Sequence, residues 1–259
     1  MRIAHHMLTW LNWHSERDPL ELDRMLEEIR ETGYEGVELM ELPVLPPAAI
    51  VKARLAAHDL VPAAFASLVP ARPEDEERYR ADMDYAAELG ITTIMVCGGW
   101  LGEAGRRTTF DDDYARLAES LSAAIDHAAR NGQIVAYHPH TGTIVETEEE
   151  IAMLLRHLPG LRLCVDTGHL LAVRSDPARV VRTYPGRVVH AHLKDWSRRD
   201  RFFAEIGQGD SGLDLTTFIG DLERDGYDGW LVVERDHPRV PPKESAALSY
   251  GHLRRIGVR

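Results

Sequence analysis

Short apolar runs recur along the chain at residues 3–8, 36–40, 61–67, 91–97, 133–138, 161–165, 187–193 and 229–233. Each has strand length, most are rich in Val and Ile, and many are apolar on both faces. That pattern suits strands of a parallel sheet covered by helices. Between them lie segments with helical spacing. Leu22, Met25, Leu26 and Ile29 fall on one face, as do Tyr114, Leu117, Leu121, Ile125 and Ala128. Asp18-Pro19 reads as a cap followed by proline at the first helical position. Thr147 before Glu148, Glu149 and Glu150 reads as a cap followed by acids that the helix dipole favours. Gly33, Gly90, Gly132, Gly160 and Gly226 each close a helical segment ahead of a strand. Glu31-Thr32-Gly33-Tyr34-Glu35-Gly36 nearly repeats as Arg224-Asp225-Gly226-Tyr227-Asp228-Gly229, one helix-to-strand turn used twice.

Eight strands, seven helical connections and a last helix near 243–256 predict an α/β fold, a (β/α)8 TIM barrel. A doubly wound open sheet would normally carry a glycine fingerprint after its first strand. Here that strand runs into His5-His6-Met7-Leu8-Thr9-Trp10. With no linker or shift in composition, residues 1–259 read as one domain, and the proline-rich stretch 42–47 as a loop.

Composition narrows the function. The 259 residues are 44% hydrophobic and 28% charged, ordinary for a globular protein. Cys97 and Cys164 lack the spacing of a disulfide framework or a cysteine zinc site, and fit a reducing cytoplasm. The first residues do not read as a signal peptide, and no apolar stretch approaches the roughly 18 residues a membrane span needs. The expected location is cytoplasmic, with no membrane partner. A net charge of −12 argues against nucleic acid. Arg198, Arg199 and Arg201 lie among acids and read as a solvated loop.

The chemistry is expected at the carboxyl ends of the strands. Polar residues gather there: Glu38 and Glu41 on the second strand, His138 and His140 on the fifth, Asp166 and His169 on the sixth. His190, His192, Lys194 and Asp195 follow on the seventh, and Glu234 and Asp236 on the eighth. Carboxylates and imidazoles from successive strands can converge on one point, and an oxygen–nitrogen set suits Mn²⁺, Mg²⁺ or Co²⁺. Each residue also has a plain structural reading. Asp166 can cap the next helix, Glu234 can pair with an arginine, and His190 can pack beneath the mouth. Trp10, Trp13 and Trp100 can stack on a sugar or simply pack.

Three motifs, Val165-Asp166-Thr167-Gly168-His169, His190-x-His192-x-Lys194-Asp195 and Trp230-Leu231-Val232-Val233-Glu234, make the chain resemble the xylose isomerase-like barrel superfamily. That group includes sugar epimerases and isomerases, dehydratases and the endonuclease IV group. The resemblance implies one divalent metal ion, Mn²⁺ first and Co²⁺, Mg²⁺ or Zn²⁺ otherwise, with Asp166, His192 and Glu234 as ligands. Many members have a ligand Glu on the fifth strand followed two residues later by His. This chain has His138 and His140, so the fourth ligand stays open between His138 and Glu146. Segment 136–147, Asp166-Thr167-Gly168-His169-Leu170 and Gly207-Gln208-Gly209-Asp210 are most similar to inosose dehydratases.

What the resemblance implies is a lyase acting on a keto-inositol or keto-sugar. An α-proton is removed and a metal steadies the resulting enolate. His140 or Glu146 is the expected base, and His169 and Lys194 orient or protonate oxygens. The alternative is a sugar or sugar-phosphate isomerase or epimerase. A non-catalytic sugar-binding barrel and an endonuclease IV-like repair enzyme are remoter. The three-zinc endonucleases have extra histidines on the third and fourth strands, where this chain has Ser67 and Cys97. The expected partner is a small sugar or cyclitol ketone, and self-association into a homo-oligomer stays open.

Overall fold

A computed structural model describes residues 1–14, 21–40, 45–69, 76–100 and 111–258. Asp18-Pro19, Glu41 and residues 42–44 of the proline-rich stretch lie outside them. The first half runs β1 (Arg2–His6), α1 (Leu8–Leu11), α2 (Leu22–Thr32), β2 (Gly36–Met40), α3 (Ala48–Ala57), β3 (Val61–Leu68), α4 (Glu76–Glu88), β4 (Thr93–Cys97) and α5 (Asp111–Arg130). It continues through β5 (Ile134–Tyr137), α6 (Glu148–His157), β6 (Arg162–Asp166), α7 (Thr167–Ala172), α8 (Pro177–Thr183) and β7 (Val188–Leu193). Last come β8 (Asp195–Ser197), β9 (Phe202–Ala204), α9 (Leu215–Arg224), β10 (Trp230–Val233) and α10 (Pro242–Arg255). Eight strands close in the order β1-β10-β7-β6-β5-β4-β3-β2, each parallel to its neighbours. This is a (β/α)8 barrel.

Strand alternation divides the side chains into two layers. Ile3, Val37, Leu39, Phe65, Ile94, Val96, Val135, Leu163, Val165, Leu193, Leu231 and Val233 belong to the large apolar core shared with the helices. The other set fills the lumen in two small apolar groups: Ala4, Ala63, Trp230 and Val232, then Ala66, Met95, Ala136 and Cys164. Toward the carboxyl ends the same positions turn polar. His6, Glu38, His138, Asp166, His190, His192 and Glu234 are all buried. A strand apolar on both faces low in the barrel and split apolar-out, polar-in near the mouth accounts for the blocky pattern of the sequence.

The helix ends follow local chemistry. Thr147 and Glu150 form a reciprocal capping box at α6. The repeated turn is one structure used twice. Tyr34 N–H bonds Ile29 O and Tyr227 N–H bonds Leu222 O, five residues back, with Gly33 and Gly226 at positive φ. Gly160 departs from expectation. It is absent from the positive-φ glycines, because α6 has already ended at His157 and Leu158 caps it. Two other features depart as well. The first strand stops at His6, and Leu8–Leu11 turns into α1. After β7 the chain forms an antiparallel hairpin, β8–β9, that the apolar pattern does not signal.

That hairpin is fastened by Asp195. Its Oδ1 accepts from Trp196 N–H (2.7 Å) and Ser211 Oγ–H (2.8 Å), and its Oδ2 from Gly207 N–H (3.2 Å) and Gly209 N–H (3.1 Å). A Cβ on Gly209 would meet Asp195 Oδ1 at 2.4 Å, so the carboxylate and the glycine require one another. Asp195→Ala leaves four donors without their acceptor and is expected to cost on the order of 3 kcal/mol. Urea unfolding of both proteins checks this, and a loss under about 1 kcal/mol would show that the loop is held by other contacts. No described helix is long and apolar enough to cross a membrane.

Candidate active site

The mouth of the barrel opens into a cavity of about 310 Å³ lined by His6, Leu8, Met40, Met95, Cys97, Trp100, His138, His140, Glu234 and Asp236, among others. One donor atom from each of His138, Asp166, His192 and Glu234 lies within 4.8 Å of the other three. Donors around an ion with bonds of about 2.1 Å stand roughly 3.0–4.2 Å apart, so this spread is within small side-chain adjustments of a coordination shell. His138 Nε2 is 3.3 Å and His192 Nδ1 3.8 Å from Asp166 Oδ2, and His192 Nδ1 is 2.9 Å from Glu234 Oε2. Among the described residues, His138 Nδ1 has no hydrogen-bond partner.

Asp166 is the helix cap that its sequence position allows. Its Oδ1 caps α7 by accepting from His169 N–H at 2.8 Å, while its Oδ2 faces the cluster. The α7 helix therefore fixes the carboxylate's orientation. His192 is gripped from both sides: Nδ1 donates to Glu234 Oε2, and Nε2 donates to Glu38 Oε2 at 2.8 Å. Burial works against its charge, but Glu38 and Glu234 outweigh it and raise the imidazole to about 10. Burial would also raise the carboxylates. The Lys194 ammonium holds Asp166 and, together with His192, Glu234 well below the usual range.

Lys194 is fully buried, and its Nζ lies 2.7 Å from Glu234 Oε2, 2.9 Å from Asp236 Oδ2 and 3.2 Å from Asp166 Oδ2. Despite burial, these three acids keep its ammonium well above its ordinary value. Four carboxylates, Glu38, Asp166, Glu234 and Asp236, thus meet two cationic groups, Lys194 and His192. A divalent cation fits both the remaining negative charge and the nitrogen–oxygen donor set.

Beside this cluster stand two more imidazoles. His140 Nδ1–H donates to Thr141 O at 2.7 Å, which leaves Nε2 as the acceptor nitrogen. Burial, then His138 and Lys194, lowers His140 to about 4, so it is neutral at physiological pH. The His169 ring lies 3.8 Å from the His140 ring, centroid to centroid. Its Nδ1 pairs with Thr141 Oγ1 at 2.9 Å, and its Nε2 accepts from Lys194 at 3.2 Å. Burial and Lys194 hold it well below its ordinary value.

Glu146 is placed differently from the other expected residues. It is buried, its Oε1 accepts from Gly142 N–H at 2.5 Å, and the four-residue cluster does not include it. It closes the 140–146 loop. Trp10 is a packing residue, 1% exposed, with its indole N–H on Glu28 Oε2 at 2.7 Å. Trp100 lines the cavity edge-on to His140, ring centroids 5.0 Å apart. Sequence reasoning assigned no role to Asp236 or to the Glu38–His192 contact. The period of two was the available signal, since Asp236 stands two residues beyond Glu234.

The fold and these groups define a parallel barrel whose mouth can hold a divalent cation beside an uncharged imidazole. The model of the xylose isomerase-like TIM barrel family matches residues 26–256, and the chain belongs to that family. It is 26% identical over 262 aligned positions to an inosose dehydratase of Lacticaseibacillus casei, covering 89% of this chain and 88% of that one. Two solved structures share the fold. The IOLI protein, crystallised with a bound zinc atom, has a TM-score of 0.78 at 17% identity, covering 99% of this chain and 98% of that one. The 3-keto-D-glucoside 4-epimerase of E. coli has a TM-score of 0.77 at 18% identity, covering 98% and 99%.

Proposed function

We propose that residues 1–259 form one divalent-metal-dependent enzyme domain that dehydrates a keto-inositol or related keto-sugar, as an inosose-dehydratase-like lyase. The observation that carries this reading is the closeness, at the barrel mouth, of a neutral imidazole that lines the cavity and a buried ammonium that its neighbours keep charged. His140 offers Nε2 as a base, and Lys194 offers a proton. Groups of one site pushed to opposite protonation states divide the acid and base roles.

His138, Asp166, His192 and Glu234 would hold the ion, with Mn²⁺ the first choice. When bound, the ion supplies Lewis acidity to a ketone oxygen. His140 Nε2 takes the proton from the carbon next to the ketone, a step worth roughly 10²–10⁴-fold. Lys194 gives a proton to the β-hydroxyl as its C–O bond breaks, so that the oxygen leaves as water. His169 lies between the two and orients the departing oxygen. Trp100, 46% exposed at the rim, offers a ring face to the substrate.

Epimerisation calls for two groups flanking one carbon from opposite faces. Here His140 and His169 touch one another, which favours elimination. The test is incubation with Mn²⁺ in deuterated water and a panel of keto-inositols, ketohexoses and 3-keto-glycosides. Loss of one water from a keto-inositol, read by mass spectrometry, is the expected result. Deuterium uptake without water loss assigns isomerisation or epimerisation instead. A panel without turnover on any member would overturn the enzymatic reading.

A further inference from the structure

We propose that Glu38 is a positioning residue for the metal site: it takes the Nε2–H of His192 and so presents Nδ1 as the liganding nitrogen. This rests on the metal reading above. Glu38 stands on β2, which β1 and β10 separate from β7 around the barrel, and 154 residues separate it from His192 in sequence. Its Oε2 accepts from His192 Nε2 at 2.8 Å and from His190 Nε2 at 3.1 Å. A carboxylate only accepts, so both contacts require a proton on the histidine nitrogen. With Nε2 carrying its proton toward Glu38, Nδ1 is the nitrogen left to offer a lone pair to an ion. It is also the one directed at Glu234 Oε2 and Asp166 Oδ2.

The backbone holds Glu38 in place. Glu38 O accepts from Met7 N–H at 3.0 Å, and Glu38 pairs in register with His6. The β2–β3 register shifts between Val37 and Glu38, an irregularity of the kind that re-aims side chains near active sites. Stability alone gives little reason for this residue. Glu38 is fully buried, and among the described residues its Oε1 has no hydrogen-bond partner. A buried carboxylate on two imidazoles is often matched or bettered by apolar packing of the same volume. Its arrangement is that of a carboxylate behind a liganding histidine, which sets the ring's tautomer and angle.

The test uses the full chain stripped of metal and titrated with Zn²⁺, in wild type, Glu38→Gln and Glu38→Leu. Calorimetry or chelator competition gives the affinity, and thermal unfolding of the metal-free proteins gives the fold control. Glu38→Leu is expected to bind Zn²⁺ about 10–100-fold more weakly, and Glu38→Gln, which keeps an acceptor, to fall between. Nitrogen-15 spectra of zinc-loaded wild type should show His192 protonated at Nε2. Variants binding as tightly as wild type, or a loaded His192 protonated at Nδ1, would overturn the proposal while leaving the metal reading intact. A wild type that takes up no Zn²⁺ sinks both. Should Glu38→Leu fail to fold, Glu38→Gln and the wild-type spectrum still decide.

Discussion

Asp166→Asn and Glu234→Gln are each expected to purify with less than about a tenth of the metal of wild type, which should carry about one ion per chain. The structure makes Asp166→Asn a clean substitution. An asparagine oxygen can still cap α7 through His169 N–H, so the fold keeps that bond. What changes is the other end of the side chain. An amide nitrogen replaces the oxygen that faces His138 Nε2 at 3.3 Å and Lys194 Nζ at 3.2 Å. A donor then faces donors, and one of the buried negative charges is gone. Glu234→Gln acts on the same site from β10, where Oε2 meets both His192 Nδ1 and Lys194 Nζ. Metal analysis of the purified proteins and circular dichroism for folding make the measurement. Full retention of metal in both variants would remove these two residues from the site.

His140→Ala separates chemistry from metal binding. This variant should keep its ion and lose α-proton exchange with solvent deuterium by roughly 10²–10⁴-fold. The base is prepared by its surroundings: Thr141 O fixes the Nδ1 proton, and burial keeps the ring uncharged. Added imidazole should restore part of the exchange, because the ring's removal leaves room beside Trp100 and His169. Exchange at the wild-type rate in His140→Ala would rule His140 out. The companion pair is His138→Ala and Glu146→Gln. Metal loss in the first and retention in the second is expected, since Glu146 is committed to Gly142 N–H. The reverse outcome makes Glu146 the fourth ligand.

Much of the architecture was legible because it is written in local chemistry. Strand length, the caps at Thr147 and Asp166, and the twin glycine turns at Gly33 and Gly226 depend on residues within a few positions of each other. The β8–β9 hairpin was not legible. Its strands are three residues each, and Asp195 holds its loop through contacts 12 to 16 residues away. Nor was the fate of Trp10, which depends on Glu28 from the next helix.

The sequence by itself determined the barrel and the polar residue types gathered at its mouth. Period-two alternation and polar strand ends are carried by neighbours in the chain, and a strand's inward face follows from them without further information. Only the tertiary structure decided which of those residues meet. Barrel closure brings Glu38 of β2 onto His192 of β7, and Lys194 among Asp166, Glu234 and Asp236. It also turns Glu146 toward its own loop while His138 joins the cluster. Such contacts depend on how strands are staggered around a closed ring, and residue spacing along the chain carries no record of that stagger. The separate surroundings of His138, His140, His169, His190 and His192 therefore appear only when the ring is closed.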